Sequence, residues 1–259
     1  MGKVLLRILS IFFYILFLGF FILIFPFHFL FLLGKSRLLH NASHFLNKMW
    51  GWIIMYPAGV WLNNINRKVV KRGQVYIFAP NHTSYLDIPI CNVSIPITFR
   101  FMGKAELNSL PLFGYMFKRL HIPVDRGSRS DSYRSFKEAK AKLEEGTSVL
   151  IYPEGTIPDK TKVDLLRFKE GAFRLAIETG IPLVPMTVIG GQKALPDDGK
   201  YIIHPTRVKV IYHDPIITKG MDVSEAPALK KRVYELMHKT LEEHGALVEQ
   251  QATAAATPA

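Results

Sequence analysis

Cys91 is the single cysteine among 259 residues, which excludes an intrachain disulfide framework and any cysteine-based zinc site. Acid is missing from the whole first third: no Asp or Glu precedes Asp87. That stretch nonetheless holds nine bases, Lys3, Arg7, Lys35, Arg37, Lys48, Arg67, Lys68, Lys71 and Arg72. The remaining 173 residues carry 24 Lys and Arg against 21 Asp and Glu, so most of the net charge of +12 belongs to the N-terminal third. Nucleic acid is therefore the poorer match, because a nucleic-acid-binding domain carries its basic excess on the folded body. An anionic lipid surface is the better one. No G-x-S-x-G nucleophile elbow occurs, and no internal repeat. The 49% apolar content excludes a disordered chain.

Charge is also absent from one long apolar run, Ile8 to Leu33, which holds nine of the 18 Phe. A hydrocarbon core needs about 20 helical residues, so the run is long enough to cross one. It is too long for a signal peptide, and no A-x-A-like cleavage site follows it. Pro26 interrupts it, and bases flank both ends, so the positive-inside rule gives no orientation. A second apolar segment, Met49 to Leu62, contains all three Trp and is too short to span. The two together read as a helical hairpin dipping into one leaflet, with a single transmembrane anchor as the alternative. The expected organisation is a membrane-embedded or interfacial helical segment over 1–65, an α/β domain over 66–249 and a disordered, low-complexity tail over 250–259.

Beyond Asn66 short apolar runs alternate with helical periodicity. Val75–Ala79, Ile97–Met102, Ile122–Val124, Ser148–Tyr152, Leu183–Ile189 and Val208–Tyr212 read as strands. Helices are expected over Ser84–Val93, over Ser130–Glu145 with Ser130 as cap, over Glu170–Glu178 before Gly180, and over Pro227–Glu243. The pattern gives an α/β fold with a mixed, largely parallel central sheet flanked by helices, and places ligands at the loops leaving the strands.

The first such loop reads Asn81-His82-Thr83-Ser84-Tyr85-Leu86-Asp87. On an ideal helix His82 and Asp87 stand about 140° apart. They meet only if His82 lies in the loop and Asp87 in the first helical turn. Asp87 then fixes the imidazole tautomer and leaves the other nitrogen basic. One His and one Asp alone are more often a structural hydrogen bond. Three further clusters fall at strand ends: Gly103-Lys104-Ala105-Glu106-Leu107, Ile122-Pro123-Val124-Asp125-Arg126-Gly127 and Tyr152-Pro153-Glu154-Gly155-Thr156. Lys104 and Arg126 bring cations to one side, as a phosphate-bearing substrate requires. Taken singly, they read as solvated charges and Glu154 as a turn residue. His40 and His44 stand four apart on a helix but lack a third ligand, and read as partly exposed interfacial histidines rather than a metal site.

Taken in order, N-H-T-S-Y-L-D, G-K-A-E-L, I-P-V-D-R, Y-P-E-G-T and I-P-L-V-P-M (Ile181–Met186) resemble the ordered blocks of the glycerolipid acyltransferases. The match is closest to the 1-acyl-sn-glycerol-3-phosphate (lysophosphatidate) acyltransferase branch, and it covers roughly Val75 to Met186. The resemblance implies transfer of a fatty acyl group from acyl-CoA or acyl-carrier protein to the sn-2 hydroxyl of lysophosphatidate. No metal or cofactor is implied. His82 matches the general base and Asp87 its orienting partner. Arg126, Glu154, Gly155 and Thr156 fall in the blocks associated with the glycerol phosphate, and Lys104 is a second phosphate contact. The expected location is a membrane, and on the hairpin reading both Lys3 and the catalytic domain lie on its cytoplasmic face. Two departures stand out. Tyr152 replaces a Phe, and Ile157 occupies the place after P-E-G-T where the family commonly has Arg. The second leaves open another lysophospholipid or a lyso-aminolipid as acceptor, and an inactive membrane-anchored scaffold is the remaining alternative.

Overall fold

A computed structural model describes residues 2–34, 36–125, 127–158 and 165–246. Two helices open the chain, α1 (Lys3–Phe31) and α2 (Arg37–Met55), followed by β1 (Val60–Ile65) and β2 (Ile77–Pro80). Then come α3 (Asp87–Ser94), β3 (Phe99–Lys104), α4 (Phe113–Leu120), β4 (Ile122–Val124), α5 (Arg129–Glu144) and β5 (Ser148–Leu150). The remainder is α6 (Gly171–Thr179), β6 (Leu183–Ile189), the short α7 (Gly191–Ala194), β7 (Thr206–Tyr212) and α8 (Ala226–Glu243).

The strands form one sheet in the order β1-β7-β6-β2-β5-β3-β4. Every pairing is parallel except β6 with β7, so the sheet is mixed and largely parallel as the sequence pattern requires. Successive strand residues point to opposite faces, and the core divides accordingly. Phe78, Phe99, Phe101, Val184 and Met186 pack with residues of α1, α2, α3 and α4. Ile77, Ala79, Val149 and Leu183 pack on the other face with α5, α6 and α8. All but the last residue of β6 are buried, the near-continuous apolar run of a strand covered on both sides.

The apolar segment Met49–Leu62 is not one element. Met49–Met55 closes α2, and Val60–Leu62 opens β1, which pairs with β7 from Val60 opposite Thr206. Pro57-Ala58-Gly59 divides them, with Gly59 at φ +76° where its missing Cβ clears Pro205. Alternation in Val-Trp-Leu-Asn-Asn-Ile, buried only at Val60 and half-buried at Leu62 and Asn64, marks β1 as an edge strand. The helix expected to begin at Ser130 is capped two residues earlier, where Ser128 accepts from the Asp131 backbone N–H at 3.2 Å.

Helices α1 and α2 form an antiparallel hairpin. Trp50 of α2 packs 4.7 Å from Phe17 and 5.1 Å from Phe21, and its Nε1 donates to the Phe17 carbonyl at 2.9 Å. His28 Nδ1 meets Ser43 Oγ at 2.6 Å. The hairpin does not project from the domain. Ser10 Oγ accepts from the Ile203 N–H at 3.0 Å, and Arg119 Nη1 donates to the Leu32 carbonyl at 2.6 Å. Those contacts pin both ends of α1, a rod about 43 Å long. Its opposite face is bare: Val4, Ile8, Ile11, Ile15, Leu18 and Leu23 are each more than half exposed. By length and hydropathy α1 is sufficient to cross a membrane.

Candidate active site

Five loops converge at the carboxyl edge of the parallel strands, after β2, β3, β4, β5 and β6, the place where such sheets gather ligands. The loop after β2 is anchored by Asn81. Its carboxamide donates to the Val188 carbonyl at 3.0 Å and accepts from the Val188 N–H at 2.6 Å. It thus continues the pairing of β2 with β6 beyond Pro80, which has no N–H to offer.

His82 lies in the loop and Asp87 is the first residue of α3, the arrangement their spacing demands. His82 Nδ1 stands 3.0 Å from Asp87 Oδ2. The same oxygen accepts from the Thr83 N–H at 2.6 Å and the Ser84 N–H at 2.8 Å. A carboxylate so placed can only accept, so Nδ1 carries the proton and Nε2 is left with its lone pair. Asp87 is fully buried, while the His82 side chain keeps 14% exposure. Ser84 takes no part as a nucleophile: its hydroxyl donates to the Leu195 carbonyl at 2.8 Å.

Two residues of the Tyr152–Thr156 block hold His82 from other directions. The Tyr152 ring stacks on the imidazole at 3.9 Å and 17°. Glu154, expected among the acceptor-binding residues, turns inward instead. Its Oε1 accepts from the His82 N–H at 2.7 Å and its Oε2 from the Leu166 N–H at 2.9 Å. Burial pushes its carboxyl up to about 8, against the pull of those two amides, and the Asp87 charge adds to the rise. Gly155 follows at φ +75°. Thr156 is exposed, and Ile157 beside it is half-buried.

Behind the imidazole opens a cavity of about 210 Å³, lined by His82, Tyr152, Phe101, Trp50, Met116 and Phe117 among others. Its wall runs from His82 through Tyr152 to Phe101 and on to His121, the last two steps spanning 6.4 and 5.2 Å between ring centroids. Lys104, Thr156 and Ile157 also line it, Lys104 as an exposed cation at the end of β3. Arg126 lies outside the described residues. Among the described residues no cluster of three His, Cys, Asp or Glu is placed to hold a metal. His44 proves buried rather than interfacial, its ring edge-on to Phe99 at 5.0 Å, because α2 packs its polar side against the sheet.

Sequence reasoning missed two contributors. His121 is buried on the cavity wall and accepts the Phe101 N–H through Nδ1 at 3.2 Å; burial holds it well below the usual histidine range, hence neutral. Gly191 sits so close to the central pair that a Cβ there would lie 2.5 Å from Asp87 Oδ1. The signal was present as Gly190-Gly191 directly after β6, but only the fold brings it to Asp87. Gly191→Ala must displace the carboxylate or the loop. Its expected effect is at least a tenfold loss of turnover with the far-UV circular dichroism unchanged.

The chain is similar to known proteins in sequence and in fold. A model of the Acyltransferase family matches residues 61–189. A chloroplastic 1-acyl-sn-glycerol-3-phosphate acyltransferase of Arabidopsis thaliana is 30% identical over 183 residues, 70% of this chain and 50% of the relative. One from Brassica napus is 28% identical over 196 residues, 74% of this chain and 56% of the relative. A lyso-ornithine lipid O-acyltransferase of Pseudomonas aeruginosa is 27% identical over 168 residues, 59% of this chain and 63% of the relative. The chain thus spans about half the length of the plant enzymes it matches. In fold it is similar to the crystal structure of the 1-acyl-sn-glycerophosphate acyltransferase PlsC from Thermotoga maritima. That likeness has a TM-score of 0.79, covers 96% of this chain and 100% of the other, and comes with 24% identity. The family model spans the sheet from β1 to β6 and the His82–Asp87 loop at its carboxyl edge, and this chain is a member of the acyltransferases.

Proposed function

We propose that this chain transfers a fatty acyl group from an acyl thioester to the sn-2 hydroxyl of lysophosphatidate, giving phosphatidate. The observation that carries the reading is the His82 imidazole, protonated at Nδ1 by its pairing with Asp87 and bare at Nε2, at the mouth of an apolar cavity. The plant relatives, which are 1-acyl-sn-glycerol-3-phosphate acyltransferases, support the same acceptor. Nε2 removes the proton of the acceptor hydroxyl as its oxygen attacks the thioester carbonyl. The tetrahedral intermediate expels the thiolate, which recovers that proton from the imidazolium. Asp87 orients the ring and stabilises its charged state, as in His–Asp pairs elsewhere. The acyl chain lies along Tyr152, Phe101 and Met116 in the cavity. Lys104 faces the acceptor phosphate as a cation. The thioester carrier is coenzyme A or acyl-carrier protein.

Ile157, at the place of a family arginine, favours a second reading, in which the acceptor is a lyso-aminolipid like that of the lyso-ornithine relative. Side-by-side turnover of lysophosphatidate, other lysophospholipids and lyso-ornithine lipid separates the two, with lysophosphatidate expected to be preferred. His82→Ala should lower release of the thiol carrier by about 10²–10⁴-fold, the usual contribution of a positioned base. Activity retained in that variant would remove His82 from the mechanism.

The hairpin α1–α2 is the membrane anchor in this reading, lying in one leaflet with its bare face toward lipid. The contacts from Ser10 to Ile203 and from Arg119 to Leu32 support this placement, because they hold α1 along the domain rather than away from it. Trp52, Tyr56 and Trp61 form a partly exposed aromatic group, with Tyr56 4.0 Å from Trp52 and 4.8 Å from Trp61. Such rings settle at the headgroup level, where the acid-free third meets anionic lipid. The catalytic domain then lies on the cytoplasmic face. Cysteines introduced at Lys3 and Ser130 should react with an impermeant reagent from the same side of a sealed vesicle. Labelling from opposite sides would establish a full span.

A further inference from the structure

The block Tyr152–Thr156 ends without its expected cation, since position 157 is Ile. A different residue brings one to the same turn. A Cβ placed on Gly155 would lie 2.9 Å from Lys169 Cε and 3.0 Å from its Nζ, so the Lys169 ammonium rests directly on the turn. Its position is fixed by the backbone. The Lys169 N–H donates to the Pro153 carbonyl at 2.8 Å, and the Leu166 N–H donates to Glu154 at 2.9 Å. Both bonds tie the segment leading into α6 to the Tyr152–Thr156 block.

Among the described residues nothing neutralises the charge of Lys169. Lys142 and Lys230 pair with carboxylates at 2.8 and 2.9 Å, whereas Lys169 is exposed and has no ion pair or side-chain hydrogen bond among the described residues. The adjacent acid, Glu154, does not reach it, because both its oxygens are turned to the His82 and Leu166 amides. A free ammonium beside Thr156 and Ile157, both lining the cavity, is a point-charge site for phosphate. Gly155 is needed for its φ of +75°, and any side chain there would also displace the lysine.

We infer that Lys169 binds the phosphate of the acceptor, supplying the cation that position 157 lacks. This inference rests on the acceptor reading given above. Phosphate also occurs on coenzyme A, but the turn that carries Lys169 is bonded through Glu154 to His82, the base that takes the acceptor's proton, while the acyl cavity lies on the Tyr152 side. The acceptor phosphate is therefore the one within its reach.

The test is steady-state kinetics of the full chain in mixed micelles with acyl-CoA. Lys169→Gln is expected to raise KM for lysophosphatidate about tenfold, with kcat and KM for acyl-CoA within about twofold and the thermal midpoint unchanged. Lys169→Arg should retain the wild-type KM, and Ile157→Arg added to Lys169→Gln should restore it. A tenfold change corresponds to about 1.4 kcal/mol, of the size expected for one charge-assisted bond. An unchanged lysophosphatidate KM in Lys169→Gln overturns the inference, as does a shift confined to acyl-CoA, which would assign the lysine to the donor. Failure of the wild-type chain to acylate lysophosphatidate overturns the acceptor reading itself and this inference with it, whereas a wild-type enzyme indifferent to Lys169→Gln overturns the inference alone.

Discussion

One carboxylate oxygen organises this site. Asp87 Oδ2 accepts from the His82 ring and from the Thr83 and Ser84 amides, in a position without solvent. A buried carboxylate persists as an anion only when donors offset its desolvation, and here those that reach Oδ2 come from the loop that it must hold. The loop conformation, the imidazole tautomer and the first turn of α3 thus depend on one another. Gly191 approaches from the end of β6, and Asn81 locks the start of the loop to the same strand. Loosening any of these relaxes the geometry at Nε2.

The same economy of parts extends outward. Tyr152 and Glu154 come from one turn, yet the first stacks on the imidazole face and the second holds its backbone. Phe101 of β3 and Tyr152 of the turn after β5 supply the floor of the cavity, whereas α2 and α4 supply its roof through Trp50, Met116 and Phe117. Because Trp50 also binds α1, the element with the bare apolar face is bonded to the wall of the cavity. An acyl thioester and a lysophospholipid both partition to the membrane surface. Under the proposed function, the apolar wall of the cavity, bonded through Trp50 to the bare-faced hairpin, would receive them without passage of the chain through water.

The central strands were legible because buried parallel strands read as short apolar runs: Leu183–Ile189 appears in the structure with the same bounds. The His82–Asp87 contact was legible because only a loop followed by a helix start brings residues five apart together. Strand β1 was hidden, since its Trp61 and Leu62 extend the apolar run of α2 and only Pro57-Ala58-Gly59 breaks it. The orientation of Glu154 was not legible. Sequence places it in the Tyr152–Thr156 block, but burial and two inward amides decide where its carboxyl group points. Lys169 and Gly191 were invisible because each reaches the site across the fold rather than along the chain. No periodicity records such an approach.

The tautomer of His82 tests the central claim most directly. Nitrogen-15 resonances of the His82 ring, measured in the selectively labelled protein near pH 7.5, should show Nδ1 protonated and Nε2 carrying a lone pair, and Asp87→Asn should abolish that bias. A ring protonated at Nε2 in the wild-type protein, or a tautomer indifferent to Asp87→Asn, would contradict the account.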